Sequence, residues 1–445
     1  MSYKQKIIKT FRVRNQQQIG VLDKVIHAIA SQGGDIGDIR TISLGTFHTI
    51  RDITVICNDE DSVQNVIKAV KSVRETHLEA VIDDVMELHR GGKINVVPRY
   101  PVKTVEDLRK VYTPGVAAIS KLIHGDPSAA FEFTGIGRTV ALCTNGSRVL
   151  GLGNIGPVAS LPVMEGKAAL FAQFSGLNMV PILINTMDVE RFIETVCTIA
   201  CGYAAIQLED IQTPDCFAIE EQLISRLKIP VMHDDQHGTA VVSLAAAINA
   251  CRLVGIDFKE ATVGQIGLGA AGSSIAHLIM DYTGRPVIGS DVNPVSVERF
   301  KKLGGEVAKS IEELMKKADV VIATTGQPGL IKPEMIRKRQ IILALSNPYP
   351  EISIADATIA GAGFASDGSR VNNLLGYPGI FKGAIESRAT RMTREMYIAA
   401  AEAIVRQTPE GELVPDPLDP LLHDRVAKSV AAAAVRSGVA QIPST

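Results

Sequence analysis

Four carboxylates stand at the ends of two apolar runs: Glu209 and Asp210 follow AAIQL, and Asp234 and Asp235 close IPVMHDD. Acids gathered at neighbouring strand ends repel one another unless a cation or a shared proton compensates. A hard divalent ion does this with oxygen ligands alone, which points to Mg²⁺ or Mn²⁺, ions that keep positions open for the oxygens of a small substrate. His233 and His237 flank the second pair at i, i+4. Without an H-E-x-x-H pattern they read as groups that support the ligands or cap a helix, not as zinc ligands. A second constellation, EATVGQIGLGAAGSSIAHLIM, sets Gly267, Gly269 and Gly272 in G-x-G-x-x-G between an apolar strand and a helix. That spacing gives a tight turn, close approach of backbone to a pyrophosphate, and a helix N-terminus aimed at it. The next strand, RPVIGSD, ends at Asp291. A carboxylate there accepts hydrogen bonds from the adenine ribose and repels a 2′-phosphate, so NAD is favoured over NADP. A later strand, ADVVIATTGQPG, ends in small residues suited to the nicotinamide side of a cleft.

These residues can meet only if strands end side by side with helices starting next to them. Residues 5–89 read as strand, helix, strand, strand, helix, strand. KIIKTFRVR is rich in β-formers, while in IGVLDKVIHAIASQGG the residues Val21, Leu22, Val25, Ile26 and Ile29 share a helical face that ends at a glycine pair. TISLG and FHTIRDITVICND form a hairpin around Gly45, DSVQNVIKAVKSV opens on a capping Asp61 or Ser62, and HLEAVIDDVMEL returns as a strand. This split βαβ order is that of a ferredoxin-like sandwich. Together with NQQQIGVLDKVIHAIASQGGDIGDIR it resembles an ACT domain, a small module that commonly binds amino acids or similar effectors. The resemblance implies a regulatory segment over residues 1–90, with an effector carboxylate received by free N–H groups near Gln18, Ile19 and Gly20.

RGGKINVVPRYP, residues 90–101, has linker composition. Beyond it TVALCT, VPILIN and AAIQLE alternate with helical stretches as far as residue 236. A long Ala-rich helix, AVVSLAAAINACRLVG, then leads into the glycine motif, and from about residue 390 the chain is helical with a Pro-rich break at 409–420. Such alternation predicts doubly wound parallel sheets. The expected fold is therefore α/β: a ferredoxin-like ACT domain (1–90), an α/β substrate and metal domain (91–236), a Rossmann-type NAD-binding domain (237–390), and C-terminal helices (391–445) that pack back on the body.

Bulk properties agree with several cores and a small-molecule partner. The chain has 445 residues, more than one hydrophobic core usually serves. Its 46 basic and 48 acidic side chains leave a net charge of −2, with no broad field to attract nucleic acid or an anionic membrane. The N-terminus lacks the plan of a secretion signal, and apolar runs break before the roughly 18 residues of a membrane span, so a cytoplasmic location is expected. Six cysteines, with no paired C-x-x-C, read as small buried hydrophobes; Cys197 and Cys201 lie one helical turn apart without a second ligand pair.

Six further segments complete the picture: VYTPGVA (111–117), SRVLGLGNIGPVASLPVMEGKAALF (147–171), QLEDIQTPDCFAIEEQL (207–223), PVMHDDQHGTA (230–240), LALSNPYPE (343–351) and VNNLLGYPGIFKGA (371–384). In order and spacing, over residues 95–440, they resemble the malic enzymes. The resemblance implies Tyr112 as the acid and Lys167 as the base, with Glu209, Asp210 and Asp235 as metal ligands and Asp234 supporting them. It also implies Arg148 on a substrate carboxylate, and Asn347 and Asn373 contacting substrate and nicotinamide. The implied reaction oxidises L-malate with NAD through oxaloacetate held on the metal, which then loses CO₂ to give pyruvate. Lys167, partly desolvated beside a cation, is expected to have a lowered pKa. A homodimer or higher homo-oligomer is expected, with room for one protomer to contribute to its neighbour's site. The competing readings are a metal-free 2-hydroxyacid dehydrogenase, which needs no carboxylate cluster, and a non-catalytic effector sensor, which needs no intact Lys167, Tyr112 or ligand set.

Overall fold

The computed structural model describes residues 6–149 and 151–442. The chain divides between Lys93 and Ile94 into two units. In the first, β1 (Ile7–Gln16), α1 (Val21–Ser31), β2 (Asp35–Leu44), β3 (His48–Cys57), α2 (Glu60–Ser72) and β4 (Thr76–Asp83) precede a short α3 (Asp84–His89). The strands form an antiparallel sheet in the order β2-β3-β1-β4. Alternation along β1 and β3 turns Phe11, Val13, Ile53 and Val55 to one face, where they pack with Val25 and Ile29 of α1 and Val63, Val66 and Val70 of α2.

Two local features differ from the sequence expectation. The cap of α2 is Asp59, whose carboxylate accepts from the Ser62 N–H at 2.8 Å, so Asp61 and Ser62 fall inside the first turn. HLEAVIDDVMEL is strand only to Asp83, which accepts from the Met86 N–H at 2.9 Å and so starts α3. Val85, Met86 and Leu88 are exposed, so no core holds them in the extended form.

The second unit begins with α4 (Val105–Val111), α5 (Val116–Gly125) and α6 (Ala130–Phe133), none with a buried residue. It continues with β5 (Thr139–Thr144), α7 (Gly156–Ser175), β6 (Asn178–Leu183), α8 (Val189–Ile199), β7 (Ala205–Leu208), α9 (Asp215–Arg226) and β8 (Val231–His233). These strands form a parallel sheet, β6-β5-β7-β8. A π-helical turn, Asp234–Gly238, leads into α10 (Thr239–Val254). Then come β9 (Val263–Ile266), α11 (Ala270–Thr283), β10 (Ile288–Ser290), α12 (Pro294–Lys302), β11 (Glu306–Val307), α13 (Ile311–Lys317), β12 (Val320–Ala323), β13 (Ile341–Ala344), α14 (Ile354–Ile359) and β14 (Phe364–Asp367). Their parallel sheet runs β11-β10-β9-β12-β13-β14, which is the Rossmann-like doubly wound order.

Helices α15 (Tyr377–Glu386), α16 (Arg394–Gln407) and α17 (Pro420–Arg436) close the unit. A Cβ on Gly383 would lie 2.3 Å from the Ala427 carbonyl oxygen, so α15 and α17 approach backbone to backbone at that glycine. One apolar core joins residues of both sheets, of α10 and of these C-terminal helices. The turn and α10 together make one run, Asp234–Val254, long and apolar enough to cross a membrane, which the sequence reading did not anticipate; 72 % of its apolar window is buried inside the protein, as in a core helix.

Candidate active site

Parallel sheets expose a crevice where neighbouring strands leave in opposite directions, at their C-terminal ends. In the four-stranded sheet this falls between β5 and β7. The chain after β5 carries Arg148, and the chain after β7 carries Glu209 and Asp210; the Arg148 N–H donates to the Asp210 carbonyl at 3.1 Å. Next to β7, β8 ends at His233 and delivers Asp234 and Asp235. One carboxylate oxygen from each of Glu209, Asp210 and Asp235 lies within 4.8 Å of the others. The Asp210 N–H donates to Asp235 Oδ2 at 2.9 Å, and Asp210 itself is held at φ 54°, an uncommon and costly conformation for a side chain other than glycine.

Lys167 reaches this cluster from the middle of α7. Its Nζ donates to Glu209 Oε1 and, at 2.5 Å, to Asp234 Oδ2. Gln207 donates to the other Glu209 oxygen at 2.9 Å, and Asn373 donates to Asp234 Oδ2 at 2.6 Å. Tyr377 donates to the Lys167 carbonyl at 3.0 Å, and its ring lies 5.1 Å from Lys167 Nζ. Burial pushes the Glu209 and Asp234 carboxyls up against the opposing pull of Lys167, and burial with Asp235 pushes Asp210 up to about 7. For Lys167, burial favours the neutral amine, but Asp234, Glu209 and Asp235 outweigh it and hold the ammonium well above the usual lysine range. The expected lowering concerns a different state, with a cation beside Lys167 to offset those same carboxylates.

The donor set fits a hard divalent ion. It is all oxygen, and Asp210 Oδ2 is buried without a hydrogen-bond partner. His237 is held elsewhere, its Nε2 3.1 Å from Glu220 Oε2 and its ring stacked on Tyr397, while His233 is fully buried with Nδ1 3.7 Å from Asp235 Oδ2, behind the ligand set.

The second crevice lies between β9 and β12, where the glycine motif begins α11. Its three glycines meet different surroundings. Gly267 has φ 87°, and a Cβ there would lie 2.8 Å from the Thr324 carbonyl; a Cβ on Gly272 would lie 1.9 Å from the Gly267 carbonyl; a Cβ on Gly269 would meet nothing within 4 Å. Turn, packing and an open face toward a ligand are thus divided among them, which fits a dinucleotide pyrophosphate. Asp291, at the end of β10, accepts from Leu268 N–H at 2.5 Å and from Asn293 N–H at 2.8 Å. Its carboxylate therefore braces the glycine loop from the side of the second strand.

Other expected site residues are spread more widely. Asn373 joins the acid cluster, whereas Asn347 donates to the Gly368 carbonyl at 3.2 Å, at the rim of the second crevice. The Arg148 guanidinium is exposed and 3.5 Å from Thr213 Oγ1. Tyr112 is 68 % exposed at the end of α4, and among the described residues its hydroxyl has no recorded bond to Lys167 or the acids. Glu220, Tyr377 and Glu351 were missed. Glu351 is fully buried and accepts from Thr325 N–H at 2.6 Å and from Ser346 Oγ at 2.5 Å, tying together the loops after β12 and β13. A signal existed for Glu220: it falls on the same helical stripe as Cys216, Ile219 and Leu223, where an acid has to be buried.

An α/β body with a dinucleotide cradle on one parallel sheet and a lysine-bridged carboxylate cluster on another defines the class. Residues 91–224 match the family described as malic enzyme, N-terminal domain, and residues 262–348 match the NAD binding domain of 6-phosphogluconate dehydrogenase. The chain is 50 % identical to NAD-dependent malic enzyme 1 of Bacillus subtilis over 96 % of its own length and 98 % of that protein's. It is 39 % identical to the NAD-dependent malic enzyme of Geobacillus stearothermophilus, over 97 % and 95 % of the two chains. The crystal structure of a malic enzyme from Pyrococcus horikoshii superposes with a TM-score of 0.76 at 38 % identity, covering 81 % of this chain and 92 % of that one. The chain belongs to the malic enzyme family.

Proposed function

We propose that this protein catalyses the oxidative decarboxylation of L-malate to pyruvate and CO₂ with reduction of NAD. The observation that carries the reading is the buried Lys167 ammonium bridging Glu209 and Asp234 beside the convergent oxygens of Glu209, Asp210 and Asp235. Those three acids are the residues to hold Mg²⁺ or Mn²⁺, which when bound supplies Lewis-acid activation of the substrate's C2 oxygen. Gly267, Gly269, Gly272 and Asp291 are the residues to hold NAD, the hydride acceptor. Lys167 acts from its neutral amine, the form a cation offsetting Glu209, Asp210 and Asp235 would favour, and its Nζ takes the proton of the C2 hydroxyl; Arg148 pairs with a substrate carboxylate, and Asn347 and Asn373 orient substrate and nicotinamide. Tyr112 returns a proton to C3 after CO₂ departs.

The exposure of Tyr112 supports a homodimer or larger homo-oligomer in which α4 and α5, with Val105, Leu108, Val111 and Val116 exposed, are covered by a second copy. Residues 1–90 are read as an ACT-like regulatory domain of ferredoxin-like topology, followed by the substrate and metal domain (91–236), the Rossmann domain (237–390) and the C-terminal helices (391–445). Supporting a small-carboxylate effector, a pocket of about 250 Å³ lies by Gln18, Ile19, Gly20 and Arg51, where α1 starts without a side-chain cap; the Gln18 N–H is not free as expected, since it donates to the Gln16 carbonyl at 2.9 Å. Four of the six cysteines are buried as read from the sequence, whereas Cys197 is half-buried and Cys201 exposed, which corrects the expectation for that pair.

The test is malate-dependent NADH formation with pyruvate measured in parallel. NADH and pyruvate are expected in equal amounts with Mn²⁺, and neither with EDTA. Activity that survives EDTA would identify a metal-free 2-hydroxyacid dehydrogenase, and no turnover in any condition would leave a sensor.

A further inference from the structure

The π-helical turn Asp234–Gly238 carries two of the four clustered acids, and π turns are wide, rare elements with weak local determinants. Lys167 and the Asp210 N–H hold Asp234 and Asp235 on the side of the cluster, against the mutual repulsion of the four acids. The opposite side of the turn needs an anchor of its own. The β7–β8 ladder ends at the Leu208–His233 pair, one residue before the turn, so the ladder does not supply it.

Three donors from the turn and its approach converge instead on one carboxylate of α9. Glu220 is 6 % exposed, and its Oε1 accepts from the His233 backbone N–H at 2.7 Å. Its Oε2 accepts from Gln236 Nε2 at 2.9 Å and lies 3.1 Å from His237 Nε2. His237 is held from its other side by the Tyr397 ring of α16, 4.8 Å away and within 5° of parallel. Donors on His233, Gln236 and His237 thus point to α9, while Asp234 and Asp235 are bonded toward Lys167 and Asp210. Along His233–His237 the residues bonded to α9 flank the two bonded to the cluster.

We propose that Glu220 is a positioning residue for the divalent cation: it anchors the Asp234–Gly238 turn on α9 and so fixes Asp235 against Glu209 and Asp210, without itself touching the ion. This rests on the reading of Glu209, Asp210 and Asp235 as the metal ligands. In Glu220→Gln the new amide can still accept from the His233 N–H. Its NH₂, however, faces the Gln236 NH₂, donor against donor, so the turn loses part of its anchor at constant volume.

Mn²⁺ binding to the full-length protein, followed by electron paramagnetic resonance of the free ion, reads this directly, with NAD titration and thermal unfolding on the same samples. Wild type is expected to bind Mn²⁺, and Glu220→Gln to bind it about 10- to 100-fold more weakly, the usual effect of losing a partner behind the ligands, with NAD affinity within about twofold. Gln236→Leu, which removes one donor and keeps a side chain of similar size, is expected to weaken Mn²⁺ in the same direction by less, and carries the test if Glu220→Gln does not fold. A folded variant with lowered melting temperature but wild-type Mn²⁺ affinity overturns the proposal, because Glu220 would then be only structural. Absence of Mn²⁺ binding in the wild type overturns the metal assignment and this proposal with it.

Discussion

At Lys167 a single ammonium faces Glu209, Asp234 and Asp235, so its removal has two separable consequences. Lys167→Ala removes the base, and general acid–base groups contribute about 10²- to 10⁴-fold in rate. It also leaves buried carboxylates without their partner, which costs about 3 to 5 kcal/mol. Both NADH formation from malate and NADH-dependent reduction of oxaloacetate are expected to collapse, and the melting temperature to fall. Tyr112→Phe is expected to behave differently, keeping oxaloacetate reduction while losing net pyruvate formation, since its proton is needed only after CO₂ leaves. Equal loss of both partial reactions in both variants would refute this division. The acids were legible because ionisable residues beside apolar strand ends have few structural reasons to be there, and Lys167 through the family resemblance of its MEGKA segment. The approach of Lys167 to Asp234, 2.5 Å, was not, because it is set by the packing of α7 on β5 and β6 and not by any local pattern.

The glycine loop shows how far one element can be read from sequence. The spacing of Gly267, Gly269 and Gly272 between β9 and α11 was enough to locate the cradle, and strand order then put it at the crevice with β12. The cost of filling each position needed coordinates. Gly272→Ala drives a methyl to within 1.9 Å of the Gly267 carbonyl, so the loop must move; a loss of about 1 to 3 kcal/mol in stability is expected along with loss of NAD binding. Gly269→Ala places its methyl in open space, so the melting temperature should stay close to wild type while NAD affinity falls about tenfold or more, the methyl occupying the path of the pyrophosphate. Calorimetric NAD titration beside thermal unfolding distinguishes the two, and unchanged NAD affinity in Gly269→Ala would remove the pyrophosphate from that loop. Elsewhere, sequence rules misplaced ends more than elements. Asp59 took the cap assigned to Asp61 or Ser62, and Asp83 ended a strand drawn too long, because competing acceptors stand within three residues and propensity does not rank them.

Over the whole molecule, burial separates where composition only suggested a boundary. The core of residues 7–81 shares no residue with the cores of the rest, and the chain divides between Lys93 and Ile94. Beyond that point, beside two smaller cores, one large core has members from Val140 to Val439, since α10 and the C-terminal helices bury apolar surface against both sheets. Elements alternate in sequence whether or not their cores are separate, so that continuity was not readable in advance. The acids, Lys167 and the glycine loop all lie in residues 94–445, and the pocket by Gln18 and Arg51 lies in the first unit. Residues 94–445 expressed alone are therefore expected to fold and turn over malate at a rate close to that of the full chain. Effector response is expected to disappear, since a ligand regulates only by binding two states with different affinity, and typical couplings of about 1 to 3 kcal/mol change substrate affinity roughly 5- to 150-fold. A screen of amino acids, dicarboxylates and acyl-CoA compounds against both forms, with sedimentation to record their oligomeric state, makes the comparison. If the two forms respond identically to every compound, the first unit has no regulatory role, and a change confined to sedimentation would leave it an assembly module.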